Sequence, residues 1–174
     1  MRSSKLRWWL FVVPVALILI VVRFPYMVDV PVWKFLDRGS IDPATLHLKG
    51  EFVESNLGSA EQSDGSVLVR IVAQQYVFVP QCVVVPAGVP VRVRMVSADA
   101  AHALTVEGTS YTVKVVPGSV TEQKLQFSQA GDYAMPCHEF CGAGHYAMRA
   151  HLRVVPRDQF RELGPAERVN CDAH

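Results

Sequence analysis

The chain has 174 residues, of which half are hydrophobic and 19% are charged, and its 17 basic and 16 acidic side chains leave a net charge of +1. This length suits one ordinary domain with an appendage, and the high apolar content excludes a disordered chain. A near-neutral chain without a basic run is also a poor nucleic-acid binder, because such binding depends mostly on neutralising phosphates. We therefore expect no nucleic-acid partner.

An N-terminal transmembrane anchor is predicted over residues 1–28. A basic start, 1–7, precedes an unbroken apolar run, 8–22, which is shorter than the roughly 20 residues that a transmembrane helix needs. Residues 24–28 lengthen the run if the side chain of Arg23 reaches back to the membrane interface. A cleaved signal peptide is the alternative, but no Ala-x-Ala cleavage pattern follows the run. The basic start favours a helix whose N-terminus lies inside.

The pattern of residue types changes at residue 66. Glycines and prolines interrupt residues 29–65, which we interpret as a linker and lead-in. From 66 to 156, short β-branched runs alternate with turn signals, which is the pattern of an all-β sandwich or barrel. The tail, 157–174, is predicted to carry one short helix that ends at Gly164. The predicted strands are 66–73, 81–85, 89–96, 111–116, 120–127 and 148–155.

The clearest of these strands is 89–96. Its valines and Met95 alternate with Arg92 and Arg94. Residues two apart on a strand share a face, so one face of this strand is apolar and the other is charged. The alternation predicts a half-buried antiparallel strand.

Metal-ligating residue types are concentrated in residues 137–148. Cys137, Cys141, His145 and Met148 place two thiols, an imidazole and a thioether within one short segment. Soft sulfur ligands select copper, zinc or iron–sulfur clusters, and imidazole suits copper and zinc. Two glycines inside the segment let its backbone turn tightly, so that side chains from one loop converge. The segment lies between predicted strands, so we expect a loop at one end of the sandwich.

Four interpretations of this loop leave part of it unexplained. A disulfide between Cys137 and Cys141, favoured by an exported location, accounts for neither the histidine nor the methionine. A zinc site is disfavoured because methionine is a poor zinc ligand and the spacing is not that of a zinc finger. A mononuclear blue-copper site needs one cysteine and would leave the other idle. Attachment of c-type haem needs Cys-x-x-Cys-His, which the sequence lacks.

A dinuclear copper site with both thiolates bridging uses every ligand of the loop. Each copper then needs one histidine and one weaker ligand, and a single loop cannot surround two metal ions. The second histidine must come from elsewhere, and His102 is the best candidate because it closely follows the strand 89–96. The remaining weak ligand is a backbone carbonyl of the loop, most simply that of Glu139.

The ligand pattern resembles the Cu-A motif of cytochrome c oxidase subunit II. That motif reads Cys-x-Glu-x-Cys-Gly-x-x-His-x-x-Met and is preceded by Asp-x-x-His. The single N-terminal helix and the Asp42-Pro43 lead-in resemble the one-helix subunits II of B-family haem–copper oxidases, and the resemblance covers residues 40–156. The matching positions are Asp99, His102, Cys137, Glu139, Cys141, Gly142, His145 and Met148.

The resemblance implies a cupredoxin-like Greek-key sandwich on the periplasmic side of a bacterial inner membrane, held by a single-pass anchor. It implies a dinuclear Cu-A centre that accepts electrons from a c-type cytochrome and passes them to haem in a polytopic subunit I, where oxygen is reduced. The chain would then be an enzyme only as a subunit of this oxidase, without a catalytic residue or turnover of its own. By motif position, Cys137 and Cys141 are bridging thiolates, His102 and His145 are terminal ligands, Met148 is a weak axial ligand, and Glu139 acts through its carbonyl.

Further expectations follow from the same resemblance. Tyr76 matches the stretch in which relatives carry the aromatic residue that receives electrons, although the Trp-rich string of many relatives is missing and a core aromatic is the alternative. In some relatives the side chain at the position of Glu139 also helps to hold magnesium at the interface with subunit I. Two other functions stay open: the Cu-A subunit of a nitric oxide reductase and a membrane-tethered copper carrier. Outside the motif, Cys82 is interpreted as a small buried hydrophobe, with a disulfide to Cys171 as the alternative.

Overall fold

The computed structural model describes residues 10–20 and 41–171. The chain divides into two compact units, Met1–Arg38 and Gly39–His174. In the first unit, residues 10–20 form helix α1, whose side chains are mostly exposed. Among the described residues, no helix is both long and apolar enough to cross a membrane. The other residues of the predicted anchor 1–28, which are 1–9 and 21–28, lie outside the described residues. The anchor therefore stays a prediction.

The second unit is built mostly from β-strands in two sheets and a ribbon. One sheet has the order β1-β2-β5-β8, with β3 also paired to β2, and the other has the order β4-β10-β9. Strands β6 and β7 form the two-stranded ribbon. The bounds are β1 Gly58–Glu61, β2 Val67–Gln74, β3 Val77–Val79, β4 Cys82–Pro86, β5 Val91–Ser97, β6 His102–Thr105, β7 Thr112–Val115, β8 Thr121–Leu125, β9 Gly131–Pro136 and β10 Arg149–Val155. This is the predicted cupredoxin-like sandwich.

Strand β5 shows how the alternating sequence determines the packing. Val91, Val93 and Met95 are buried, whereas Arg92 and Arg94 on the opposite face are only half-buried. The predicted antiparallel pairing holds for β8, but β5 pairs with β2 in parallel. Parallel neighbours need a crossover connection, and here the chain leaves the sheet after β3 and passes through β4 of the other sheet. Local alternation carries no information about that crossover.

Each of the six predicted runs contains a strand, and the strand ends lie within two residues of those predicted. The strands β1, β3, β6 and β9 were not predicted from the sequence. Strands β3 and β6 have only three and four residues, which is too short for a clear alternation. Strand β9 begins at Gly131 and ends at Pro136, and both residue types normally indicate turns.

In the described part of the lead-in, 41–65, the residues before β1 pack on the outer face of the larger sheet, and β1 itself belongs to that sheet. Leu46 and Phe52 are each 1% exposed and form a small second core with Val72 and Val96. Glu51 adds ion pairs to arginines of β2 and β5. Burying a large apolar side chain contributes about 1.5–3 kcal/mol, so this segment stabilises the domain as well as leading into it.

The tail is tied to the smaller sheet. A disulfide joins Cys82 of β4 to Cys171, with their Cα atoms 5.5 Å apart. Cys82 is buried as predicted, but it is cross-linked, which is the alternative that the sequence left open. Helix α2, Arg157–Glu162, buries Phe160 and ends two residues before the predicted Gly164, because Leu163 already has an extended conformation.

Candidate metal centre

Two loops meet at one end of the sandwich and bring the predicted ligands together. One loop joins β5 to β6, and His102 is the first residue of β6. The other joins β9 to β10 and begins at Cys137, which forms an isolated β-bridge with Leu104. The amide of Cys137 also donates to the carbonyl of Met148 at 3.0 Å, so both ends of the ligand loop are held together.

Each of the two free thiols has an imidazole and a weaker donor beside it. The Sγ atom of Cys137 lies 3.9 Å from Nδ1 of His102 and 3.3 Å from the carbonyl oxygen of Glu139. The Sγ atom of Cys141 lies 3.7 Å from Nδ1 of His145 and 3.7 Å from Sδ of Met148. The structure therefore brings together all the predicted ligand positions, in two matching halves.

Most of the ligand residues are buried, and three of their ligand atoms are close together. Those of His102, Cys137 and Cys141 all lie within 4.8 Å of one another. His102 is fully buried, Met148 is 1% exposed and both cysteines are 6% exposed. His145 is only half-buried. Two buried thiols, two imidazoles and a buried thioether form a donor set that suits copper. The disulfide considered from the sequence is not formed, because both cysteines are free.

Burial also affects the protonation of Cys141. It is the main reason why the pKa of Cys141 rises to about 11, and the neighbouring Cys137 raises it further. The metal-free thiol of Cys141 is therefore protonated at neutral pH. Because a thiol binds metal as thiolate, metal binding at this residue releases a proton.

Asp99 orients the buried imidazole of His102. Burial would raise the pKa of Asp99, but hydrogen bonds from His102 and from the backbone amides of Gln75 and Ala100 outweigh this effect and lower the pKa. Its Oδ1 atom lies 2.9 Å from Nε2 of His102. An ionised carboxylate can only accept, so Nε2 carries the proton and the lone pair of Nδ1 faces Cys137. The Asp-x-x-His spacing therefore has a direct physical role.

The turn between β2 and β3 covers the ligand loop. At Gly144, φ is −88°, which any residue can adopt, but an added Cβ would overlap the ring of Tyr76. Gly142 has φ of +131° and also lies against Tyr76. The prediction that both glycines serve tight turning holds for Gly142 alone, because Gly144 is required by the close approach of the ring. Tyr76 is 38% exposed, whereas nearby Phe78 is the buried core aromatic.

Two further aromatic side chains flank the ligand His145, and they were not predicted from the sequence as part of the site. Phe140 and Tyr146 lie 5.6 Å and 5.3 Å from its ring, measured between centroids. Their exposed fractions are 72% and 85%. The available signal was that both aromatics are next to predicted ligands in the sequence. In the structure they give this end of the domain an apolar surface.

An ion pair connects the ligand loop to the ribbon. Lys114 of β7 lies 2.8 Å from the carboxylate of Glu139, and this contact lowers the pKa of Glu139. No sequence signal pointed to Lys114, because the pair depends on how the ribbon packs against the loop. His138, between the ligands, has an exposed side chain and donates its backbone amide to Ala103 at 2.7 Å.

Comparisons with known proteins identify relatives of this domain. Residues 66–155 match the sequence model of the family "Cytochrome C oxidase subunit II, periplasmic domain". A cytochrome c oxidase subunit 2 from Thermus thermophilus is 29% identical over 108 residues, covering 62% of this chain and 80% of that relative. A heme–copper terminal oxidase dimer contains a chain that is 25% identical, with a TM-score of 0.51, covering 82% of this chain and 96% of that chain. The periplasmic domain of cytochrome oxidase subunit II from Bradyrhizobium japonicum shares the fold, with a TM-score of 0.51 and 20% identity over 55% of this chain and 88% of that domain.

Proposed function

The chain belongs to the cytochrome c oxidase subunit II family and is thus a subunit of an oxidoreductase complex, and we propose that it is the subunit that first accepts electrons in a membrane-bound terminal oxidase. One observation carries the proposal: two buried free thiols lie side by side, each with its own imidazole and its own weaker donor. The two thiols, two imidazoles and one thioether brought together here are the side chains that soft metal ions such as copper prefer.

The donor set fits a dinuclear copper centre. If only one copper were bound, the thiol, the imidazole and the weak donor of the other half would have no metal to bind. With two, Cys137 and Cys141 would be shared, His102 and His145 would serve one copper each, and Met148 and the carbonyl of Glu139 would be the weak ligands. When bound, the two ions would supply a store for a single electron, with its charge spread over both.

The residues around the site would prepare it for fast electron transfer. Asp99 holds the imidazole of His102 in one orientation, and both cysteines are shielded from water. Fixed ligands and a dry site reduce the rearrangement that a change of charge requires. Tyr76 is the proposed point where electrons enter, because its ring is partly exposed and lies against the ligand loop.

The proposed partners are a c-type cytochrome as donor and a polytopic haem-bearing subunit I as acceptor. Exposed Phe140 and Tyr146 beside His145 give this end of the domain a surface that would be covered in a complex. The disulfide between Cys82 and Cys171 supports an exported location for the domain, because disulfides persist in oxidising compartments. We place the domain on the periplasmic side of a bacterial inner membrane, with 1–28 as the proposed anchor.

The magnesium site at Glu139 stays a prediction. The carboxylate of Glu139 is paired with the ammonium group of Lys114 at 2.8 Å. A divalent ion at this carboxylate would have to compete with Lys114.

The experiment is to purify the chain from membranes with whatever binds it and to measure turnover with a reduced c-type cytochrome. Copurification with a haem-bearing polytopic subunit, and oxygen consumption that Cys141→Ser abolishes, are expected. Turnover of nitric oxide in place of oxygen would assign the chain to a nitric oxide reductase. Purification without a haem partner, together with rapid copper loss to a chelator, would indicate a copper carrier and contradict the proposal.

A further inference from the structure

One residue of the β2–β3 turn touches both halves of the candidate metal centre. The backbone amide of Gln75 donates to Oδ2 of Asp99 at 2.6 Å. The side-chain amide of the same residue donates to the carbonyl oxygen of Cys141. Asp99 belongs to the half that contains His102, and Cys141 belongs to the half that contains His145. The two contacts therefore link loops that are far apart in sequence.

The link to Asp99 works through the backbone. Asp99 accepts from Gln75 with one carboxylate oxygen and bonds the imidazole of His102 with the other. This contact fixes the carboxylate and, through it, the direction in which Nδ1 of His102 points. A substitution of the side chain at 75 leaves this backbone donor in place.

The link to Cys141 works through the side chain. The carbonyl that accepts this hydrogen bond belongs to a residue that is 6% exposed, and the next residue is Gly142 with φ of +131°. Glycine adopts this φ without steric cost, so sterics alone do not hold the peptide between Cys141 and Gly142, and a hydrogen bond from outside the loop can fix its orientation. Gln75 supplies such a hydrogen bond, at the residue that carries one of the two thiols.

We propose that Gln75 is a positioning residue that holds the Cys141 half of the copper centre in register with the His102 half. The proposal rests on the proposed copper site and adds the residue that keeps its two halves at a fixed separation. It also connects the centre to Tyr76, the next residue, whose ring covers the same loop. Loss of the side-chain amide of Gln75 should loosen the Cys141 half while the His102 half stays in place.

The test compares Gln75→Leu and Gln75→Glu with the unchanged full chain. Leucine removes the donor, and an ionised glutamate keeps the size of the side chain but offers only acceptors. Both variants should bind copper 10- to 100-fold more weakly in competition with a chelator, as is typical when a partner of a metal ligand is lost. Their electron paramagnetic resonance spectra should also show a changed copper hyperfine splitting.

Gln159→Leu is the matched control, because Gln159 is exposed on helix α2. It should retain the copper affinity and the spectrum of the unchanged chain. Thermal unfolding of the metal-free variants separates a loss of positioning from a loss of fold, and equal unfolding temperatures are expected. Wild-type copper affinity and hyperfine splitting in Gln75→Leu would overturn the proposal. If the unchanged chain itself does not bind two coppers, the proposed function is wrong. If it does but Gln75→Leu behaves like it, only the proposed role of Gln75 is wrong.

Discussion

Breaking the Cys82–Cys171 cross-link should lower the stability of the domain by a large and calculable amount. The disulfide joins residues 89 positions apart, and the chain entropy that such a loop removes from the unfolded state amounts to about 4.6 kcal/mol at 25 °C. The substitution Cys171→Ser breaks the cross-link at a half-buried position and keeps the buried sulfur of Cys82. Little packing is lost, so the entropic contribution should dominate. We expect the free energy of unfolding to fall by about 2–5 kcal/mol.

Urea denaturation without reductant measures this change, and the melting temperature should fall by about 10 °C or more. Wild-type protein whose disulfide is reduced before copper loading is the control, and it should match Cys171→Ser. Copper binding should survive in both, because β4 and the tail carry none of the proposed ligands. A loss of stability below about 0.5 kcal/mol would refute the reasoning, since it would mean that the closed loop does not restrict the unfolded chain.

Three further substitutions test other parts of the account. Burial would raise the pKa of Glu51, but its pairing with Arg94 lowers this pKa overall. The pairing therefore stabilises the fold above pH 4.5, and this stabilisation is lost as the pH falls through the lowered pKa. Glu51→Gln should reduce the difference between the urea stabilities measured at pH 7 and at pH 3. Gly144→Ala should push Tyr76 off the loop and cost about 1–3 kcal/mol of unfolding free energy by overpacking, and unchanged stability would contradict the close approach of the ring to this glycine. Met148→Leu should retain copper but shift its reduction potential, measurable by spectroelectrochemistry, because the thioether is a weak ligand.

The longer strands could be predicted from the sequence because their side chains alternate and their ends carry turn residues. Strand β5 is the clearest case, with valines on one face and arginines on the other. Its parallel pairing with β2 could not be predicted, because this depends on a crossover through the other sheet. The short β6, which carries His102, has no periodic signal of its own.

The ligand loop could be predicted because most of its donors are close in sequence and belong to one motif. The contacts that support it could not. Gln75 and Cys141 are 66 positions apart, and Lys114 reaches Glu139 from a different element. Such pairs depend on how whole strands pack, and neither glutamine nor lysine is distinctive by type. Aromatic Phe140 and Tyr146 were visible in the sequence, but their exposure was not.

The most direct test of the account is the copper content of the full chain together with its electron paramagnetic resonance spectrum. We predict two coppers per chain and one unpaired electron shared by both nuclei, because the loop and His102 supply two matching sets of donors. Cys141→Ser should abolish the shared signal. One copper per chain with a localised signal would contradict the dinuclear centre and leave one of the two buried thiols without a role.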